Sequence, residues 1–118
     1  MAKTLVTGQI LLPAGAAVKA SAVAHVNLLD TSLADAPSSV VASAKRSDIA
    51  AGIARGEALT FALQGQLKSE RASYCVEVHI DQEGDGKVRL GDFVNAQSYP
   101  VTSFGFPDHI SVRTVKVV

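Results

Sequence analysis

The sequence predicts an all-β chain: one β-sandwich domain over residues 1–118, with about seven or eight short, mostly antiparallel strands. Two observations carry this. Although alanine is abundant, apolar residues recur at period two, and Gly, Pro and Asp break the runs at short intervals. A length of 118 residues suffices for one core and does not call for a second domain.

The first strand runs from Lys3 to Leu12 and ends at Pro13-Ala14-Gly15, where Pro presets φ for a turn and Gly accepts the positive φ after it. From Val18 to Leu29, Val18, Ala20, Ala22, Ala24, Val26 and Leu28 share one face, and Lys19, Ser21, His25 and Asn27 share the other. The small residues on the inward face leave room for a bulky partner such as Phe61 or Tyr74. A turn-rich stretch from Asp30 to Ser39 precedes a third strand, Val40 to Lys45. Ser47 to Gly56 reads as a loop with at most a short turn of helix, because Gly52 and Gly56 each weaken a helix by up to ~1 kcal/mol relative to Ala. Alternation returns at Leu59, Phe61 and Leu63, and again at Tyr74, Val76, Val78 and Ile80, placing strands near 58–64 and 73–80 with these side chains in the core. Val88 to Leu90 and Gln97 to Val101 read as short strands, and 110–117 as the terminal one.

Composition narrows function by exclusion. Eleven basic and eleven acidic residues cancel, and no basic tract supplies a footprint for nucleic acid. The single cysteine, Cys75, rules out an internal disulfide framework and a cysteine-rich zinc site. No apolar run is long enough to span a membrane, and no export signal precedes the first strand, so the chain as written is expected to be soluble and cytoplasmic. There is no nucleophile elbow, phosphate-cradling glycine loop or carboxylate pair placed for acid–base work, so no enzyme activity is expected, and a small metal-dependent enzyme stands only as the last alternative.

One segment points to specific chemistry. In the twelve residues from Asp81 to Asp92, acidic side chains stand at positions 1 (Asp81), 3 (Glu83), 5 (Asp85) and 12 (Asp92). Lys87 at position 7 offers a backbone carbonyl, and Gly86 occupies position 6, where a calcium loop turns sharply. A hard divalent cation needs six to eight oxygens, and this spacing supplies them. Glu83 is a methylene longer than the usual residue at position 3, Arg89 puts a cation at position 9, and Asp92 is shorter than the usual bidentate glutamate. The competing reading is a hairpin in which Gly84 and Gly86 supply positive φ and the carboxylates solvate the tip. In the first reading Asp81, Glu83, Asp85, Lys87 and Asp92 hold Ca2+, which stiffens the loop.

Cys75, Glu77 and His79 share a face of the fifth strand, and His25 and His109 lie on polar faces of two others. A transition-metal cluster from one strand is unfavourable, because residues i and i+4 lie ~13 Å apart at ~3.3 Å per residue. Ligands from neighbouring strands would be required. Cys75 reads as a structural thiol, since Glu77 beside it opposes thiolate formation.

Two segments carry a family resemblance: Leu28-Leu29-Asp30-Thr31-Ser32-Leu33-Ala34-Asp35-Ala36-Pro37 and Gln97-Ser98-Tyr99-Pro100-Val101-Thr102. With Val6-Thr7-Gly8-Gln9 and the Leu12-Pro13 to Val18 connection, the chain resembles the YbaY/YscW-type lipoprotein family, which includes pilotins of type III secretion. The resemblance implies a compact β-sandwich and a chaperone that helps a ring-forming secretin reach the outer membrane. It also implies a signal peptide ending in a lipidated cysteine, whereas Cys75 lies mid-strand. The alternative localisation is therefore a periplasmic or outer-membrane-anchored protein from which those parts have been removed. From the residues themselves, Asp30 and Asp35 suit Asx-turns, Leu33 suits a loop anchor, and Pro100 suits an edge strand or bulge. Together these readings give a non-enzymatic module that grips a polypeptide through a strand edge or inter-sheet groove, with the segment from His109 to Val118 as the candidate edge.

Overall fold

A computed structural model describes residues 3–32, 38–67, 69 and 71–118. Asp35 and Leu33, expected to shape the turn after the second strand, lie outside the described residues. Eight strands and one helix follow in chain order: β1 (Lys3–Leu11), β2 (Val23–Asp30), β3 (Ser39–Arg46), α1 (Ile49–Ala54), β4 (Leu59–Gly65), β5 (Tyr74–Asp81), β6 (Phe93–Asn95), β7 (Pro100–Val101) and β8 (His109–Lys116).

The strands form one path in the order β3-β2-β5-β6-β8-β1-β4, with β7 added on β5. All-β architecture is as expected, but the form is a nearly closed, barrel-like sheet rather than two stacked sheets. The physical reason lies in β1 and β8. β1 pairs antiparallel with β4 and parallel with β8, from Thr7↔His109 to Leu11↔Arg113, and β8 pairs onward with β6 from Asn95↔Thr114 to Phe93↔Lys116. A continuous ladder thus joins what a sandwich would keep apart. The same pairing corrects the candidate edge: β8 is bonded to β1 along its first half and to β6 along its second, so it is interior, and β3 and β4 end the path.

Alternation decides the core. Ala24, Val26 and Leu28 of β2, Leu59, Phe61 and Leu63 of β4, and Val76, Val78 and Ile80 of β5 are buried along one inner face. In β1, Leu5 and Val6 are both buried, because a bulge between Thr4 and Val6 adds a residue and shifts the parity. Gly8 of β1 sits opposite both Phe61 and Ile110 in register; a Cβ there would fall 2.2 Å from the Ile110 carbonyl oxygen and 2.7 Å from the Phe61 ring. The missing side chain is what lets the aromatic ring lie against the β1–β8 ladder.

Other boundaries differ from expectation for local reasons. β2 starts at Val23, not Val18, because Ala22 N–H closes a turn on the Lys19 carbonyl at 3.0 Å. Val88–Leu90 is not a strand: Arg89 and Asp92 close a turn on each other, Asp92 N–H to the Arg89 carbonyl at 3.1 Å and Arg89 N–H to Asp92 Oδ2 at 3.0 Å. The short strand forms a few residues later, as β6. The segment 47–56 yields the six-residue α1, closed by the left-handed Gly56. The predicted Asx-turn at Asp30 forms, with Ser32 N–H donating to Asp30 Oδ1 at 2.9 Å.

Candidate functional site

Two features combine unusual chemistry with an opening to solvent: the acidic loop on the outer face of β5, and the seam between β3 and β4.

Asp81 closes β5 and Asp92 precedes β6, and the loop between them folds back so that both carboxylates are wholly buried. Asp81 accepts the N–H groups of Gly84 (3.0 Å) and Gly86 (2.6 Å), and its Oδ2 lies 3.3 Å from His25 Nε2. Asp92 accepts the N–H groups of Gln82 (3.0 Å) and Arg89 (3.0 Å), and its Oδ2 lies 2.7 Å from His79 Nε2. Burial pushes both acids up, yet the result lies below the usual carboxylate range. For Asp81 the Gly86 N–H, His25 and the Gly84 N–H more than offset burial; for Asp92, His79 and the N–H groups of Gln82 and Arg89 do so. The other predicted ligands turn outward. Glu83 pairs with Lys19, and Asp85 accepts Lys87 N–H (3.0 Å) and Arg89 Nε–H (2.6 Å), which hold its acid below the usual range. Lys87 itself is exposed. The contacts of the five candidate calcium residues therefore divide them: Asp81 and Asp92 face the sheet's histidines, and Glu83 and Asp85 face the chain's own cations. Gly86, at φ 81°, makes the sharp left-handed turn that the spacing requires.

Sequence reasoning noted His25 and His79 without their relationship. They are register partners across the β2–β5 ladder, with stacked rings whose centroids lie 5.7 Å apart. Cys75 and His109 do not join them. Cys75 pairs with Leu29 and Pro100, with its thiol pushed up by burial and then by Glu77, and His109 bonds Thr7 at 2.8 Å. Gln82, also missed, is a buried clamp: its side chain accepts Lys19 N–H at 2.9 Å and donates to the carbonyls of Ala17 (2.9 Å) and Gly91 (3.2 Å), holding the β1–β2 connection against the acidic loop.

The seam lies where the path ends. Among the described residues no ladder joins β3 to β4. At one end Arg46 of β3 donates from its guanidinium to the Thr60 carbonyl at 2.9 Å; at the other, a Cβ on Gly65 would sit 3.6 Å from Ala42 Cβ. Between them is an apolar groove walled by Ala44 and Ala62 and floored by core side chains, Ile10, Val26 and Phe61 among them. Small walls over an apolar floor suit an inserted side chain, and two strand edges offer backbone donors and acceptors beside it.

The sequence model of the type III secretion system lipoprotein chaperone (YscW) family matches residues 1–113. The chain belongs to this family. The lipoprotein chaperone family thus matches the resemblance carried by residues 28–37 and 97–102. Among solved structures the chain is similar to an alternative pilotin from the type II secretion system of Vibrio cholerae, at 25% identity and a TM-score of 0.76, covering 100% of this chain and 99% of that one. No match was found among curated proteins. Since the family is one of lipoproteins, the expectation of a cytoplasmic chain finds no support. Among the described residues no helix is long and apolar enough to cross a membrane.

Proposed function

We propose that this chain is a non-enzymatic, pilotin-like chaperone that holds a segment of a ring-forming secretin in the seam between β3 and β4, from a periplasmic or outer-membrane-anchored position. Family membership supports the class of partner, and the seam supports the manner of binding. It is the one place along the strand path where two facing strands are not joined by a ladder, among the described residues. An extended or amphipathic segment gains backbone hydrogen bonds from either edge and buries an apolar side chain in the groove. Ordering a disordered segment costs ~2–5 kcal/mol, so a micromolar affinity is expected rather than a nanomolar one. Peptides tiling the secretin of the same genome, titrated into isotopically labelled protein, should shift amides of 39–46 and 59–65. Binding of no peptide, or shifts confined to other strands, would overturn this reading.

A second reading, structural calcium in the loop from Asp81 to Asp92, is favoured by the left-handed Gly86 at position 6. Calcium should then shift the amides of 81–92 and raise the melting temperature, since a ligand that binds only the folded state stabilises it, and Asp85→Ala should lose both effects. Millimolar calcium without these shifts leaves the loop as a hairpin.

A further inference from the structure

We infer that His25, His79 and Asp81 form a binding site for a borderline transition-metal ion of the Zn2+ class on the outer face of the β2–β5 ladder. A ring nitrogen of each histidine and a carboxylate oxygen of Asp81 lie within 4.8 Å of one another. The strand-spacing argument against a cluster does not apply, because the two histidines come from different strands and face each other in register. The separation of His25 Nε2 and Asp81 Oδ2, 3.3 Å, is long for a charge-assisted hydrogen bond. It equals the spacing of two ligands on a tetrahedral ion with bonds of about 2.0 Å, roughly 3.3 Å.

Three further observations favour a cation. Two wholly buried carboxylates, Asp81 and Asp92, sit against the imidazoles and concentrate negative charge there. Asp92, 2.7 Å from His79 Nε2, is placed to orient that ring as an outer carboxylate does in metal sites. Access is available, because a surface cleft reaches both histidines between Asn27, Glu77 and Val88. The donor set selects the ion. Two imidazoles and one carboxylate suit zinc, copper or nickel, whereas calcium and magnesium favour oxygen alone. Three protein ligands leave a coordination position open for water or for a donor from a partner. The inference is independent of the chaperone reading.

Metal-free protein titrated with Zn2+, followed through the imidazole nitrogen resonances, tests it. The expected result is one equivalent bound, with the rings of His25 and His79 shifting together, His109 unmoved, and reversal by EDTA. His25→Ala, a half-exposed position, should weaken binding roughly tenfold or more. The melting temperature of that variant without metal reports whether it folds. Zinc that shifts only His109, shifts no imidazole, or binds His25→Ala as tightly as the parent would overturn the assignment. The wild-type titration decides the matter even if the variant fails to fold.

Discussion

Asp81 and Asp92 each lose all contact with water on folding and keep their charge because backbone N–H groups and an imidazole replace it. An unfolded aspartate titrates near ~3.9, and both folded acids lie lower. Their stabilising contribution is therefore complete above about pH 4 and is lost as pH falls through the folded values. The melting temperature should hold from neutrality to about pH 5 and fall steeply below about 4. Asp81→Asn and Asp92→Asn should each cost ~1–3 kcal/mol at neutral pH, because buried N–H groups lose a charged acceptor, and each should flatten the acid limb. Acid denaturation curves parallel to wild type in both variants would show that other groups dominate. This site was half legible in the sequence. Spacing identified the loop and its acidic residues, and parity put His25 and His79 on polar faces. What a single sequence does not encode is register: His25 meets His79 only through a ladder between strands some fifty residues apart.

At the scale of elements, β4 sends three alternating side chains, Leu59, Phe61 and Leu63, into the core. Phe61 is buried against Gly8 and reaches the floor of the seam. Phe61→Ala should lower stability by ~3–5 kcal/mol in chemical denaturation, as large-to-small core changes do. Gly8→Ala tests the same contact from the other side. Its methyl group has no room beside the Ile110 carbonyl, so a cost of ~1–3 kcal/mol is expected from overpacking. A neutral Gly8→Ala would mean that β1 and β8 separate without penalty. The elements read best from sequence were β1, β3, β4, β5 and β8, together with β2, which is the latter part of the strand expected from Val18 to Leu29. β6 and β7, at three and two residues, are too short for a period to register, and they form because longer neighbours offer them an edge. Barrel-like closure was hidden for the same reason as the histidine register: the parallel β1–β8 pair is a contact between the ends of the chain, which no local pattern announces.

For the whole molecule, the main strand path among the described residues ends in β3 and β4, which face each other instead of facing solvent on opposite sides. This arrangement limits indiscriminate pairing with other chains while keeping one route to the core. Ala62 is exposed on the wall of that route, so Ala62→Arg should leave the melting temperature nearly unchanged yet weaken a peptide bound there roughly tenfold, ~1.4 kcal/mol, by filling the groove. Undiminished peptide affinity in this variant would place the partner elsewhere. The β1–β8 ladder has a consequence in time. Thr7 and His109 are 102 positions apart in sequence and bonded in the fold, so the first strand to be synthesised waits for the last before it gains its second neighbour. Refolding should be slow for so small a chain, in the millisecond-to-second range set by distant contacts. Translation or transport that has not yet delivered β8 leaves a polymer that cannot close its sheet. If the protein is carried across a membrane unfolded, its topology acts as a delay that keeps it threadable until the whole chain has crossed.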